Sequence, residues 1–374
     1  MHNISPTTNM PTVGLVMIVK NEAAVIERAL LSAKPFISTW LIVDTGSTDT
    51  TKEIIQRVMS DISGTLVDRP WLNFGHNRSE ALTLCDPHMD WAIMLDADDN
   101  LAGTPLGPEI WARTDLDGIA MRIQHGPIWH QRVHIFRTGI GWFYQGVLHE
   151  YPICRSRPQP RLAILPQTTY MVTRCEGARS QDPEKYSKGA LLLEAEIQRN
   201  PTDSRSMFYL AQSYRDAGRK AEAIATYLRY IGLSGSWAHE RYMAYVNLIT
   251  LTDDTTNHMA WAWAAVELCP QRLEAQFTVL TIRRQKGLPP TQEAFALAAL
   301  VKTRKVDTGG LFVNPAIYEW GLDDELAVIS FATGHYQEAY DASIRCALTA
   351  PVVEMRENAL KNARSAKEKL ASSL

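Results

Sequence analysis

The stretch WAIMLDADDNL, residues 91–101, joins an apolar run to three closely spaced acids. Residues 91–95 are typical of a buried strand, and Asp96, Asp98 and Asp99 follow directly. Carboxylates this close repel one another, so we expect a positive group to compensate them. An isolated Asp-x-Asp can also be a helix cap or a solvated loop. Mg²⁺ or Mn²⁺ prefers oxygen ligands and leaves positions open for phosphate oxygens, so Asp96 and Asp98 are candidate metal ligands.

The residues before this stretch alternate between strand-like and helix-like patterns. TVGLVMIV (12–19) and WLIVD (40–44) are short β-branched runs, and NEAAVIERALLSA (21–33) between them has apolar residues at helical spacing. Strands separated by helices predict a parallel, doubly wound sheet, whose ligands bind beyond the carboxyl ends of the strands. From about residue 117 short extended pieces predict an antiparallel extension of that sheet.

A second acidic loop follows residues 40–44, where Asp44 ends the predicted strand. Carboxyl ends of parallel strands meet at one edge of a sheet, so Asp44 and the acids after residue 95 are expected to face the same crevice. Two acidic loops on one crevice favour a cation site over the capping alternative.

After residues 176–186 the chain is predicted to be helical to its end. Residues 206–230 and 325–348 each indicate two amphipathic helices joined at a glycine. Pro201 and Pro270 are 69 residues apart in the sequence, about two periods of the ~34-residue tetratricopeptide unit. We therefore predict two domains, an α/β domain over 1–175 and a tetratricopeptide-like domain of helical hairpins over 176–374.

Composition excludes some classes of protein. The 374 residues carry a formal net charge of -3, so no overall basic field would hold nucleic acid or an anionic membrane. The first residues lack the pattern of a secretory signal, and no apolar run approaches the ~20 residues that span a bilayer. The five cysteines contain no Cys-x-x-Cys pair, which fits a reducing compartment. We expect a soluble, cytoplasmic protein without a transmembrane segment.

Five motifs in order resemble a known family. The chain is similar to family-2 glycosyltransferases of GT-A fold through LVMIVKNEAAVIERAL, WLIVDTGSTDTT, NFGHNRSEAL, WAIMLDADDNL and GWFYQGVLHEYP. A further run, EGARSQDPEKY with FYLAQSYRDAGR, resembles the subgroup that carries a tetratricopeptide-like C-terminal region. The resemblance covers about residues 12 to 245.

The resemblance implies inverting transfer of a sugar from a nucleotide-sugar donor. Glu22 and Asp44 would contact the nucleoside, because carboxylates accept hydrogen bonds from base N–H groups and ribose hydroxyls. Asn77 and Arg78 would lie near the base or the diphosphate, although a surface salt bridge is the alternative for Arg78. The implied donor-binding residues are Glu22, Asp44, Asn77, Arg78 and Asp96, and the implied metal ligands include Asp96 and Asp98.

The segment GVLHEYP, residues 146–152, is the predicted location of the base. Glu150 is the candidate, because an inverting displacement needs a base opposite the leaving diphosphate. His149 is a candidate metal ligand or a hydrogen-bond partner of the leaving phosphate, and the two neighbours can act together only if the backbone bends there. Many family members carry Glu-Asp where this chain has His-Glu. Asp99 is the rival base.

Further side chains have two interpretations each. Trp129, Trp142 and Tyr144 are candidates for stacking on a sugar ring or for the core. Arg179 and Ser180 are candidates for reaching the crevice from the C-terminal side or for capping a helix.

Two functions fit the sequence. The first is a metal-dependent glycosyltransferase that uses Mn²⁺ or Mg²⁺ and an unidentified acceptor, either a glycan, a protein or a modified nucleic acid base. Its helical domain would bind the acceptor or form a homo-oligomer. The alternative is a nucleotide-sugar-binding scaffold with a non-catalytic glycosyltransferase-like domain. The scaffold predicts binding of the nucleotide-sugar without release of nucleoside diphosphate.

Overall fold

The computed structural model describes residues 10–126, 128–165, 168–301, 305–306 and 310–372. The chain divides into two compact units, and the first ends at Glu196. This first unit is a mixed sheet with helices, and the second is all helical in its described part. The predicted fold class, an α/β sheet domain followed by helical hairpins, is confirmed.

Four parallel strands form one half of the main sheet. They are β1 (Val13–Val19), β2 (Thr39–Asp44), β3 (Gly64–Asp68) and β4 (Trp91–Met94), in the order β3-β2-β1-β4. Val19 pairs with Asp44, and Asp44 pairs with Asp68. The strand ends that carry the acids therefore share one edge, as the alternation of strands and helices predicts.

The other half of the sheet has mixed directions. Its strands are β5 (Asn100–Gly103), β6 (Gly118–His125), β7 (Ile128–Arg137), β10 (Leu162–Ile164) and β11 (Thr169–Val172). β7 runs antiparallel to both β4 and β6, so the antiparallel extension is confirmed there. β11 is antiparallel to β5, as predicted, but parallel to β6, because the chain first leaves the sheet and returns in the same direction. The excursion includes a separate ribbon of β8 (Trp142–Gln145) and β9 (Tyr151–Cys154).

Among the described residues, six α-helices belong wholly or mainly to the first unit. They are α1 (Ile26–Ala33), α2 (Thr51–Val58), α3 (Phe74–Cys85), α4 (Pro108–Trp111), α5 (Ala178–Gln181) and α6 (Lys185–Arg199). Apolar side chains of the sheet pack into two clusters, one of which includes Leu15, Met17 and Ile26 of α1, and the other Met94 and Leu82 of α3. The sheet is thus covered by helices on both faces, which is why its central strands are almost wholly apolar.

The first unit extends beyond residue 175, where the sequence placed the domain boundary. The backbone N–H groups of Gly177 and Ala178 donate to side chains of two strand-end loops. These contacts attach the segment to the sheet domain, although its helical composition resembles that of the second unit.

Helix α3 approaches the β8 ribbon closely at its first turn. A Cβ on Gly75 would lie 2.0 Å from the carbonyl oxygen of Gly146, so a larger residue does not fit. The Ser79 hydroxyl donates to the Gly75 carbonyl at 2.6 Å and accepts from the Tyr144 N–H at 2.8 Å. This contact fixes α3 against the ribbon.

The second unit consists of packed helical pairs. Its helices are α7 (Ser204–Asp216), α8 (Lys220–Ile231), α9 (Ala238–Leu251), α10 (His258–Leu268), α11 (Glu274–Gln285), α12 (Gln292–Ala299), α13 (Leu322–Ala332), α14 (Tyr336–Thr349) and α15 (Val353–Ser372). The predicted glycine joints are present, because Gly218 and Gly334 adopt φ of 76° and 84° between paired helices. None of the described helices is long and apolar enough to cross a membrane.

We expect Ser79→Ala to lower the free energy of unfolding by about 1–3 kcal/mol, because it leaves the Tyr144 N–H without its acceptor. Thr83→Ala is the matched control, since Thr83 also bonds the carbonyl four residues earlier on α3 but is exposed. The control should change stability by less than about 0.5 kcal/mol. Urea unfolding measures both, and equal effects would contradict the assigned role of Ser79.

Candidate active site

Asp44 lies fully buried at the end of β2. Its Oδ1 accepts from the N–H groups of Gly46 at 2.9 Å and Ser47 at 2.8 Å. Its Oδ2 is buried and makes no hydrogen bond within the described part of the chain. A buried carboxylate oxygen without a hydrogen-bond partner destabilises the folded protein. A ligand that donates a hydrogen bond to this oxygen would therefore be bound more tightly.

Arg78 on α3 is the positive group that compensates the acids of the opening stretch. Its Nη2 lies 2.5 Å from Asp96 Oδ1, and its Nε lies 2.8 Å from Glu150 Oε1 as an ion pair without an aligned N–H. The Tyr144 ring lies beneath the guanidinium, 5.6 Å from its carbon to the ring centre. Burial would raise the pKa of Asp96, but Arg78 holds that pKa below its usual value. Arg78 is almost fully buried, so the surface salt bridge considered from sequence is wrong.

Asp98 and Glu22 both accept hydrogen bonds from the segment that follows β11. Gly177 N–H donates to Asp98 Oδ2 at 2.9 Å, and Ala178 N–H donates to Glu22 Oε2 at 3.1 Å. Burial raises the pKa of Glu22 to about 7, and the nearby charge of Asp98 adds to this effect. The hydrogen bond from Ala178 opposes it. Glu22 and Asp98, separated by 76 positions in the sequence, thus bind neighbouring backbone N–H groups of one segment.

Asp99 is buried behind these acids. Its Oδ1 makes no hydrogen bond among the described residues. Burial raises the pKa of Asp99 to about 8, and the charges of Asp96 and Asp98 contribute. At pH 7 this carboxyl is mostly protonated, a form that cannot accept a proton.

The loop of residues 146–150 bends as the sequence required. His149 has a φ of 54°, the left-handed backbone conformation that turns the chain between the two candidate side chains. His149 is exposed, whereas the Glu150 side chain is only 12% exposed and lies against Arg78. Glu150 and Asp96 are therefore paired with the same guanidinium, that of Arg78. The role of His149 as a metal ligand stays a prediction.

Asn77 has a different position from the expected one. It is fully buried, its Nδ2 donates to the Pro70 carbonyl at 3.0 Å, and its Oδ1 accepts from the Leu72 N–H at 3.0 Å. Both ends of the amide are occupied by backbone. Asn77 thus holds the loop before α3 through these two hydrogen bonds, and its role toward a donor stays a prediction.

His134 and Arg132 on β7 lie near the acids and were not identified from the sequence. The Nδ1 of His134 is 3.1 Å from the Met94 carbonyl at the end of β4. Burial lowers the pKa of His134 to about 4, so the ring is neutral at pH 7. Arg132 contributes to the low pKa of Asp96. The strand pattern was visible in sequence, but its pairing with β4 was not.

The remaining candidates divide between core and crevice. Trp142 and Tyr144 are buried, and Trp142 Nε1 donates to the Asp117 carbonyl at 3.0 Å, so the core interpretation holds for both. Trp129 has the Arg122 guanidinium 3.9 Å above its ring centre. The N-cap of α5 is Gly177, and no side chain caps that helix, so capping by Arg179 or Ser180 is wrong.

Asp96 and Asp98 each have one carboxylate oxygen that is bonded within the described ranges and one that is not. No group of three His, Cys, Asp or Glu side chains able to hold a metal occurs within the described ranges. One oxygen of Asp96 faces Arg78 and one of Asp98 accepts from Gly177, while the second oxygen of each has no hydrogen-bond partner in the same ranges. Such a set fits a cation that completes its shell with substrate phosphate, as Mg²⁺ commonly does.

Comparison with known proteins relates the first unit to a family. The sequence model of Glycosyl transferase family 2 matches residues 15–108, a segment that includes Glu22, Asp44, Arg78 and Asp96. An uncharacterized glycosyltransferase of Rickettsia bellii is 38% identical over 86 residues, which are 23% of this chain and 27% of that protein. A TPR repeat-containing protein of Synechococcus elongatus is 33% identical over 93 residues, 25% of this chain and 22% of that protein. The match therefore spans about a quarter of the length of these relatives.

Solved structures are less similar to this chain in sequence. The structure of S. aureus TarS 1-349 in complex with UDP-GlcNAc is 13% identical, with a TM-score of 0.37, covering 74% of this chain and 92% of that one. A TPR protein of Thermus thermophilus, TTC0263, is 15% identical with a TM-score of 0.29, covering 48% of this chain and 90% of that one. Residues 15–108 thus match family-2 glycosyltransferases in sequence. They lie in the sheet unit, and the chain continues into a unit of helical hairpins.

Proposed function

We propose that the protein is a glycosyltransferase that transfers a sugar, with inversion, from a nucleotide-sugar to an acceptor hydroxyl or other nucleophile on a glycan, a protein or a modified nucleic acid base. The observation that carries this proposal is the ion pairing of Arg78 with both Asp96 and Glu150. This pairing brings Asp96, which lies in the segment matched by the family model, next to the candidate base Glu150, which lies outside that segment. The free cysteines support a reducing, cytoplasmic setting.

Asp44 and Glu22 are assigned to the nucleoside. The buried Oδ2 of Asp44 lacks a partner among the described residues, and a base N–H or ribose hydroxyl would supply one. Glu22 lies at the same edge of the sheet and is half protonated near pH 7, so it can donate as well as accept. Asn77 is assigned to positioning the loop before α3, because its amide is already occupied.

Glu150 is assigned as the base. Its carboxylate accepts the proton of the acceptor nucleophile while the new bond to the anomeric carbon forms. The bond between the sugar and the diphosphate breaks, and the nucleoside diphosphate leaves with the electron pair. Asp99 is the weaker candidate, since its raised pKa keeps it mostly protonated at pH 7. The ion pair with Arg78 holds Glu150 in one orientation.

We assign a divalent cation, Mn²⁺ or Mg²⁺, to Asp96 and Asp98. His149 stays a predicted further ligand, although it does not form a group with both acids within the described ranges. When bound, the cation would neutralise charge on the leaving diphosphate. Each aspartate keeps one oxygen that makes no hydrogen bond within the described ranges.

The test of the function is a panel of nucleotide-sugars screened for thermal stabilisation of the protein with Mn²⁺. The stabilising donor is then followed for slow hydrolysis, measured as free nucleoside diphosphate. We expect release. Binding without any release in the presence of candidate acceptors would favour the scaffold alternative.

Asp44→Asn should weaken binding of free nucleoside diphosphate by about 10- to 100-fold, because an acceptor for a ligand hydrogen bond becomes a donor. Asp68→Asn is the matched control, since Asp68 pairs with Asp44 in register but is exposed and bound to Lys52. Isothermal titration calorimetry measures both. Equal affinities in the two variants would remove Asp44 from the nucleoside site.

Glu150→Gln should reduce the transfer rate at saturating substrates by about 10²–10⁴, because the amide keeps the shape but not the basicity. Asp99→Asn should retain most activity, since the amide resembles the protonated acid already present at pH 7. Steady-state kinetics distinguish the two acids. The reverse ranking would make Asp99 the base.

Asp98→Asn should abolish the gain in nucleoside diphosphate affinity that Mn²⁺ provides, because the carboxylate charge is lost while an oxygen remains for Gly177 N–H. Asp61→Asn, an exposed acid paired with Lys34, is the control and should keep that gain. The measurement is calorimetry with Mn²⁺ and with chelator. An unchanged ratio of the two affinities in Asp98→Asn would exclude the metal assignment.

A further inference from the structure

The segment of residues 176–179 is held between the two acidic loops. Glu176 forms an ion pair with Arg28 at 2.6 Å, and the next two backbone N–H groups bond Asp98 and Glu22. A Cβ on Gly177 would lie 3.1 Å from Glu22 Oε2 and 3.2 Å from Asp98 Cγ. The backbone therefore passes tightly between two carboxylates, and its position is set by them.

This anchoring fixes the place of the next side chain, Arg179. Its guanidinium carbon lies 4.9 Å from the ring centre of Phe74, over the face of the ring. Phe74 is the first residue of α3, the helix that carries Arg78, and its N–H donates to the Val147 carbonyl at 3.3 Å. Arg179 thus lies beside the loop that ends in Glu150.

The charge of Arg179 is only partly compensated by the nearby acids, Glu150 and Asp182. Within the described ranges its guanidinium forms no ion pair and no hydrogen bond, whereas Arg78 is paired with two carboxylates. Burial lowers the pKa of Arg179, and the negative charge of Glu150 opposes this effect. The side chain remains a cation with N–H donors available for a ligand.

We propose that Arg179 binds the diphosphate of the nucleotide-sugar and stabilises it as the leaving group. This inference rests on the proposed function. A guanidinium offers paired N–H donors that match phosphate oxygens, and its stacking on Phe74 orients them. We assign it to the donor and not to an anionic acceptor, because its segment is anchored on Glu22 and Asp98, the residues assigned to nucleoside and metal.

The experiment compares nucleoside diphosphates with the matching nucleosides. Binding of UDP, GDP, CDP and ADP, and then of the nucleoside of the tightest one, is measured by calorimetry in the wild-type full chain and in Arg179→Gln. We expect Arg179→Gln to weaken the diphosphate by about 10- to 100-fold and to leave the nucleoside unchanged, because a charged hydrogen bond is lost. Arg179→Lys should recover part of the affinity as a point charge.

Arg155→Gln is the matched control. Arg155 also stacks on an aromatic ring, that of Phe143 at 4.5 Å, and forms no ion pair among the described residues. It should bind the diphosphate as the wild type does, which separates a specific site from general loss of positive charge.

Three outcomes would overturn the inference in different ways. Unchanged diphosphate affinity in Arg179→Gln would refute the role of Arg179 and leave the proposed function standing. Equal weakening of nucleoside and diphosphate would assign Arg179 a structural role only. A wild-type chain that binds none of the four diphosphates would refute the proposed function itself, and the inference with it.

Discussion

The ion pairing of Arg78 is the interaction on which the site depends. A buried guanidinium is costly unless acids surround it, and buried acids are equally costly without a cation. Arg78 meets Asp96 from the end of β4 and Glu150 from the loop after β8, so one charge satisfies two distant parts of the chain. The close approach of α3 to the ribbon, where Gly75 leaves no room for a side chain, delivers Arg78 to that point.

The negative charge of the neighbouring acids is also reduced. Four carboxyl groups lie at one edge of the sheet, those of Glu22, Asp96, Asp98 and Asp99. The raised pKa of Asp99 keeps that carboxyl largely neutral at pH 7, and the raised pKa of Glu22 leaves it half neutral. Arg78 offsets Asp96. The edge therefore carries much less negative charge than its composition implies, which makes the approach of an anionic diphosphate less unfavourable.

The parts of the structure that the sequence predicts are those set by local patterns. Alternation of apolar runs and helical stripes is enough for β1 to β4 and for the helical hairpins, because each repeats the same short-range signal. The pairing of Arg78 with Asp96 was not predicted, because the sequence does not show that these two side chains meet. His134 was missed for the same reason, because β7 joins the sheet next to β4 across 40 positions of sequence. The two hydrogen bonds of Asn77 to the backbone of one loop leave no trace in the sequence.

Gly177 has an unusual kind of constraint for a glycine. Its φ is −64°, which any residue can adopt, so backbone strain plays no part in its selection. What restricts it is the space between Glu22 and Asp98, two carboxylates on different loops. A larger residue at 177 would have to separate those two acids by several tenths of an ångström. Three segments that are far apart in the sequence therefore meet at this one position, and replacing the glycine would require the acids on either side of it to move.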